Sequence, residues 1–308
     1  MNANSQPPTP AIKDWLISAQ HQLSKIGITS ARLDAEIILA YALEKGRTYL
    51  HTHPEQLIDA QQYIIANNLL TQRMGRVPIA YIVGHKEFYG RQFTVSPATL
   101  IPRPESEDII TILKQLLPPT TDLISHFQTP NPCLIDVGTG SGCLGITAKL
   151  EFPKLDVTLT DISIEALDIA RQNSDILSAD VKIIQSDLLQ NYPTKPNIII
   201  ANLPYVDQTW DRSPETIYEP SLALFAADRG RSIIYNLIDQ ASKSLLHDGF
   251  LIVEADPTQH DSLIKYAKKK SFTITDKLGY IITFRLNNLG ANAVEKEHQD
   301  TNDANCKK

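Results

Sequence analysis

Residues 132–150 read PCLIDVGTGSGCLGITAKL. Leu134 to Val137 form an apolar run broken only by Asp136, three glycines follow at alternate positions (Gly138, Gly140, Gly142), and GITAKL resumes at helical spacing. A strand that passes through a glycine loop straight into a helix is the opening of a βαβ unit. The pattern repeats downstream. DVTLTD (156–161) leads to the helix SIEALDIARQN (163–173), and VKIIQSD (181–187) leads to a loop. NIIIANLPY (197–205) leads to a long aromatic, proline-containing loop and a helix near SIIYNLIDQASKSLL (232–246). GFLIVEA (249–255) precedes TQHDSLIKYAKKK (258–270), and GYIITFRL (279–286) closes the series. Near-continuous apolar strands separated by helices predict an α/β fold with a mostly parallel, doubly wound sheet.

Upstream the text changes. In IKDWLISAQHQL (12–23), ARLDAEIILAYAL (31–43) and QQYIIANNLLTQRM (61–74), apolar residues recur at three- and four-residue steps, which predicts a small helical domain over 11–75. Gly27 and Gly46 follow the first two runs, where a helix takes a C′ glycine. His51 and His53 flank Thr52 without a third ligand nearby and read as a solvated turn. Residues 76–103 are aromatic and β-branched around Gly84 and Gly90 and read as a hairpin connector. The larger domain then spans 104–286, with Pro104 suited to the first turn of a helix and Glu105, Glu107 and Asp108 at its positive end. Residues 1–10 and 287–308 are polar and aperiodic and are expected to be disordered.

The chain has 308 residues, 42% apolar and 21% charged, and a net charge of −6. These values fit a globular protein of about two domains. They disfavour a surface that binds polyanions globally, so no stable nucleic-acid partner is expected. Cys133, Cys143 and Cys306 are too few and scattered for a disulfide framework or a zinc cluster, and no metal is expected. No apolar run reaches the ~20 residues of a membrane span. MNANSQPPTP has no basic region followed by an apolar stretch, so neither a secretory signal nor a membrane partner is expected, and the expected location is the cytoplasm.

Ligands of doubly wound sheets bind at the carboxyl ends of the strands, where this glycine loop lies. Two cofactors compete for it. Gly140, Gly142 and Gly145 satisfy G-x-G-x-x-G with Asp161 nearby, which fits a dinucleotide. Asp136 with Gly138, Gly140 and Gly142 fits the acid-plus-G-x-G-x-G loop of S-adenosylmethionine enzymes. Asp161, ending the second strand, accepts ribose hydroxyls in either case. The tetrapeptide Asn202-Leu203-Pro204-Tyr205 decides between them. It follows NIIIA and emerges at the same rim. An asparagine side-chain oxygen and a carbonyl beside Pro204 can converge on one substrate NH2, while Tyr205 offers a flat face. Two acceptors on one NH2 orient a planar nitrogen for methyl transfer and favour the charge that develops on it. An oxidoreductase, an inactive binding module and a plain strand-end turn at Asn202 are the alternatives.

These segments together resemble the protein-(glutamine-N5) methyltransferases of peptide chain release factors, the PrmC/HemK family. The resemblance runs from about Ala11 to Leu286 and rests on RVPIAYIVGHKEFYGRQFTVSPATLIPRPESE, DVGTGSG, TDISIEALDIARQN, SDLL, ANLPY and YEPSLAL. It implies a seven-stranded S-adenosylmethionine-dependent methyltransferase domain with an antiparallel last hairpin, and a helical N-terminal domain that helps dock the release factor. By the same resemblance Gly138, Thr139, Gly140, Ser141 and Gly142 line the cofactor, Asp161 holds its ribose, and Asp187 and Leu188 border the adenine. Asn202 belongs to both sites. Asn202, Leu203, Pro204 and Tyr205 bind the glutamine of a Gly-Gly-Gln motif, with Asn202, Pro204 and Tyr205 carrying catalysis and no general base in evidence. Three positions depart from the family pattern: Leu203, where the second residue is usually proline; Ala226-Ala227, usually glycines; and Asp256, usually glycine. Leu203 keeps two neighbouring readings open, a ribosomal-protein glutamine methyltransferase and an adenine-N6 methyltransferase of nucleic acid.

Overall fold

The computed structural model describes residues 9–117, 127–129 and 132–287, so nearly all of the expected disordered lead and tail, and most of residues 118–131, lie outside the described residues. The chain divides into two compact units, one of residues 1–85 with 212–218, the other of 86–211 with 219–308.

The first unit is helical: α1 (Ile12–Lys25), α2 (Ala31–Ala42), α3 (Arg47–Thr52), α4 (Ala60–Met74) and α5 (Ile79–Val83). Ile12, Trp15, Ala19 and Leu23 form the buried stripe of α1 and pack with Ala35, Ile38 and Leu39 of α2. Fully burying an aliphatic side chain of this size contributes about 1.5–3 kcal/mol. Gly27 has φ 76°, the left-handed conformation expected after α1. Gly46 does not close α2: it is extended at φ −71° and opens α3, a short helix the periodicity does not announce, while Glu44 takes the left-handed φ of 53°. His51 lies on α3, 3.5 Å from the buried Glu36, and His53 stacks on Tyr49 with ring centroids 4.0 Å apart. Buried Arg73 of α4 bonds Asp34 at 2.6 Å and Glu215 at 3.1 Å, and Arg76 reaches Glu215 at 3.2 Å. Burial pushes the Glu215 carboxyl up, but bonds from Ser213 and both arginines outweigh it and hold the group at about 2.

The second unit begins with the hairpin β1 (His85–Phe88) and β2 (Arg91–Thr94), which runs into an extended segment. A 3-10 turn, Pro104–Ser106, then opens α6 (Glu107–Leu116). Glu107, one of the acids at that helix start, accepts from the Tyr89 amide at 2.9 Å. The sheet follows: β3 (Cys133–Val137), α7 (Cys143–Glu151), β4 (Asp156–Asp161), α8 (Ile164–Ile176), β5 (Lys182–Gln185), β6 (Ile198–Ala201), α9 (Ser232–Ser244), β7 (Phe250–Glu254), α10 (His260–Lys269), β8 (Phe272–Leu278) and β9 (Ile281–Leu286). Strand order is β5-β4-β3-β6-β7-β9-β8, parallel except that β9 runs antiparallel to β7 and β8. Side chains alternate between the layers. Leu134, Ile198 and Ile200 join the core with α6 and α7, whereas Ile135, Ile199 and Ala201 join the core with α9 and α10. Strand order reverses at β3, so a crevice opens at the carboxyl ends of β3, β4 and β6, the position where such sheets bind ligands.

Candidate active site

The loop after β3 is built on left-handed glycines, with φ of 70°, 55° and 82° at Gly138, Gly140 and Gly142. A Cβ on Gly138 would stand 2.6 Å from Leu203 Cδ2, and one on Gly142 would stand 2.7 Å from Ile146 Cδ1. Glycine takes that backbone without strain, and a side chain at either place would push Leu203 or Ile146 aside. Two carboxylates brace the loop. Asp136 Oδ2 accepts from Thr139 Oγ1 at 2.6 Å and from the Gly145 amide at 2.9 Å, while its Oδ1 is buried without a hydrogen-bond partner. Burial pushes the Asp136 carboxyl from an ordinary 3.8 to about 6, against the pull of those two bonds, and the charge of Asp161 adds to the rise. Asp161, at the end of β4, accepts from the Gly140 amide at 2.9 Å and the Ser163 amide at 3.0 Å. Burial raises its carboxyl as well, again against these amides.

A cavity of about 240 Å³ lies at this rim. Gly138, Gly140, Asp161, Asp187, Leu188, Asn202, Leu203 and Pro204 line it, which brings together residues from the ends of β3, β4, β5 and β6. Thr139, Ser141, Gly142 and Tyr205 do not line it. Thr139 and Ser141 are buried beneath the loop, the first bonded to Asp136 and the second offering its carbonyl to Asn173 at 2.8 Å. Gly142 is the N-cap of α7 and packs against Ala170 of α8. The motif read from the sequence thus divides into a lining half and a supporting half. Apolar lining also comes from Ala98 and Leu100 of the connector and from Pro220 and Leu222, which the sequence reading did not single out.

Asn202 is held from behind. Its Nδ2 donates to Ser106 Oγ at 2.9 Å, and Ser106 Oγ donates to Glu254 Oε2 at 2.6 Å. Tyr205 Oη donates to the other oxygen, Glu254 Oε1, at 3.1 Å. Glu254 is buried at the end of β7; burial raises its carboxyl, while the bonds from Ser106 and Tyr205 oppose the rise. Burial and the Glu254 charge together push the Tyr205 phenol up. The connector is pinned here a second time: Arg103 donates to Glu219 at 2.6 Å, and Glu219 also accepts from the Ile101 amide at 3.3 Å. Ser106, Glu219 and Glu254 escaped the sequence reading, although Ser106 and Glu219 sit inside segments that carry the resemblance.

The three departures have local explanations. Leu203 is buried and packs under Gly138. Ala226 is extended at φ −128°, so no glycine is required there, and the left-handed conformations fall on Asp228, Arg229 and Gly230 instead. Gly230 lies so close to the Tyr205 carbonyl that any Cβ would collide with it. Asp256 caps the turn before α10: its side chain accepts from the Thr258 amide at 2.9 Å, and Gln259 returns a bond to the Asp256 amide at 3.2 Å. That capping box is worth about 1 kcal/mol. The same Gln259 donates to the Tyr205 carbonyl at 2.8 Å.

The fold and this rim define an S-adenosylmethionine-dependent methyltransferase. Residues 14–84 match the model of the PrmC N-terminal domain, and residues 115–219 match that of the methyltransferase small domain. The release factor glutamine methyltransferase of Koribacter versatilis is 38% identical over 80% of this chain and 88% of its own. That of Deinococcus radiodurans is 31% identical over 82% of this chain and 88% of its own. A bifunctional methyltransferase of Rickettsia bellii is 33% identical over 82% of this chain, which spans half of that longer protein. The chain belongs to the release factor glutamine methyltransferase family. Its residues fit the cofactor. S-adenosylmethionine is cationic at its sulfonium and its ammonium, and two carboxylates at strand ends brace the loop, Asp136 beneath it and Asp161 lining a cavity that glycines let a ligand approach closely. Among the described residues no group of three His, Cys, Asp or Glu is placed to hold a metal, and no helix is long and apolar enough to cross a membrane.

Proposed function

We propose that the protein methylates the side-chain amide nitrogen of the glutamine in the Gly-Gly-Gln motif of peptide chain release factors. S-adenosylmethionine supplies the electrophilic methyl. The residues of this chain bind, orient and shield. Asp161 takes the ribose hydroxyls, Asp187 and Leu188 border the adenine, and Gly138 and Gly140 let the backbone pass beneath the cofactor. Asn202 Oδ1 and a carbonyl beside Pro204 accept from the glutamine NH2, and Leu203 shapes the wall between the two ligands. Tyr205, tied to Glu254 by its hydroxyl, is assigned the flat face against the amide plane. The observation that carries this reading is the Asn202 amide: its NH2 donates one bond to Ser106, which turns that end of the amide toward Ser106 and leaves Oδ1 as an acceptor for a substrate NH2. Holding two reactants in line is worth up to about 7–11 kcal/mol of the barrier, so no general base is assigned: the amide nitrogen gives up its proton late, to solvent, as the methyl leaves the sulfonium. The helical unit is assigned to docking the release factor and the enzyme to the cytoplasm, and no stable nucleic-acid partner is assigned to a chain of net charge −6.

Incubation with methyl-labelled cofactor and, in parallel, purified release factors, ribosomal protein and ribosomal RNA tests this. Label on the release factor is expected. Label on adenine of the RNA, with none on a release factor, would replace the proposal with the nucleic-acid reading that Leu203 keeps open.

A further inference from the structure

We infer that Ser106 and Glu254 are positioning residues that set the polarity of the Asn202 amide, so that its oxygen and not its NH2 meets the substrate. The inference rests on the proposed reaction and assigns roles to two residues that do not touch substrate.

An amide presents two donors at one end and an acceptor at the other, and the two ends have nearly the same shape. Packing alone holds them in place without choosing between them. A carboxylate can only accept. Glu254 is met on one oxygen by Ser106 at 2.6 Å and on the other by Tyr205 at 3.1 Å, so both hydroxyls must donate to it. Ser106 has then spent its only proton and can offer Asn202 only a lone pair, which the asparagine NH2 fills at 2.9 Å. Oδ1 is left for the cavity that Asn202 lines. The same carboxylate therefore fixes the amide polarity of Asn202 and the hydroxyl of Tyr205, at opposite ends of one tetrapeptide. Both Ser106 and Glu254 are about 2% exposed or less, so water does not compete for these bonds. In sequence, Ser106 lies 96 residues from Asn202 and 148 from Glu254, and the turn that carries Ser106 is pinned independently through Arg103 and Glu219.

Protonation of Glu254 would reverse the chain. A carboxylic acid can donate to Ser106, Ser106 can then donate to Asn202, and the amide loses its reason to keep its oxygen toward the substrate. The charged and titratable groups around Glu254 are Arg103 from the connector, Glu105 from the 3-10 turn that carries Ser106, Tyr205 from the loop after β6, Cys143 of α7, and Tyr280 from the β8–β9 turn beside Tyr205. Burial raises the Glu254 carboxyl, so the ordered state is present above that raised value and is lost as pH falls through it.

The test compares the full chain with Ser106→Ala, Ser106→Thr and Glu254→Gln. Turnover on a release factor is expected to fall roughly ten- to a hundred-fold in Ser106→Ala, because a buried NH2 and a buried carboxylate each lose a partner. Cofactor affinity should be unchanged, and Ser106→Thr, which keeps the hydroxyl, should recover turnover. The acid limb of the kcat profile should disappear in Glu254→Gln. A second readout needs no substrate: in protein labelled with 15N at asparagine, the Asn202 side-chain NH2 should be protected from exchange and should shift as Glu254 titrates, and both effects should vanish in Ser106→Ala. Wild-type turnover by Ser106→Ala, or an Asn202 amide indifferent to Ser106 and to pH, would overturn the inference. Inactivity of the unaltered protein on release factors, with the amide signals behaving as described, would instead remove the proposed substrate and leave the positioning network standing.

Discussion

The two sides of the cavity, the one proposed to hold the cofactor and the one proposed to hold the substrate, are built by different means. On the cofactor side, acids are met mainly by main-chain amides: Gly145 on Asp136, and Gly140 and Ser163 on Asp161. On the substrate side, Asn202 is held through side chains alone, by Ser106 and then Glu254. A backbone site needs a particular local chain conformation and therefore leaves a local motif. A side-chain site needs residues that meet only once the sheet has formed. The difference predicts that damage on one side should spare the other, and several substitutions can break or sharpen that expectation.

The largest effect is expected at Asn202. Removing one well-placed electrostatic contact with a reacting group costs about 10²–10³ in turnover. Asn202→Ala should therefore lose that much kcat, while calorimetry finds S-adenosylmethionine bound as before. A matching loss of cofactor affinity would erase the distinction between the two sides.

Asp136 comes next and is read through stability. Its folded value of about 6 lies above the ordinary 3.8, so the folded protein holds a proton there that the unfolded chain has released. Stability should fall as pH rises from about 4 to about 6 and stay reduced above that, by about 3 kcal/mol for this buried group. Asp136→Asn keeps an acceptor for Thr139 and Gly145. It should unfold at a higher temperature than the unaltered chain near neutral pH, with the acid-side slope gone, yet bind the cationic cofactor more weakly. An unaltered slope would show that Asp136 is not the group responsible.

At Asp161 the expected loss is smaller and falls on binding alone. Asp161→Ala removes charge-assisted bonds worth about 1.5–3 kcal/mol, so cofactor affinity should drop roughly ten- to a hundred-fold with the fold retained. Unchanged affinity in the folded variant would end its assignment to the ribose.

The smallest effect probes the one point where the two sides touch. A methyl group on Gly138 would meet Leu203 at 2.6 Å, so Gly138→Ala should weaken both cofactor binding and thermal stability. Leu203→Ala in the same chain should restore part of the loss. About 1–2 kcal/mol should remain, the strain of a left-handed alanine. Strict additivity of the two substitutions would deny the contact.

The same contrast explains what could be read from the sequence. The strands around β3 announce themselves because Ile198 to Ala201 are buried on both faces and are apolar without interruption. The glycine loop and Asp161 are legible because the backbone conformation demands glycine and the acid ends a strand. Asn202 is legible from its place at a strand end. Helix α3 is not: its six residues, RTYLHT, are too short for a periodicity and bury only Leu50. Strand β8 carries five exposed residues at the sheet edge and is implied by the resemblance alone. Thr139 and Ser141 look like lining residues in the motif but are buried, the Thr139 hydroxyl donating to Asp136 and the Ser141 carbonyl accepting from Asn173. Ser106 and Glu254 could not be paired beforehand, since nothing local relates positions 148 apart.

The most direct test of the account is the location of the methyl group. A purified release factor, treated with this protein and S-adenosylmethionine and then digested, can be sequenced by fragment mass spectrometry. The account predicts a single added methyl on the side-chain nitrogen of the glutamine in the Gly-Gly-Gln peptide, and about a hundredth as much or less in the same time when Asn202→Ala replaces the unaltered enzyme. A methyl on any other residue, or full modification by Asn202→Ala, would contradict it.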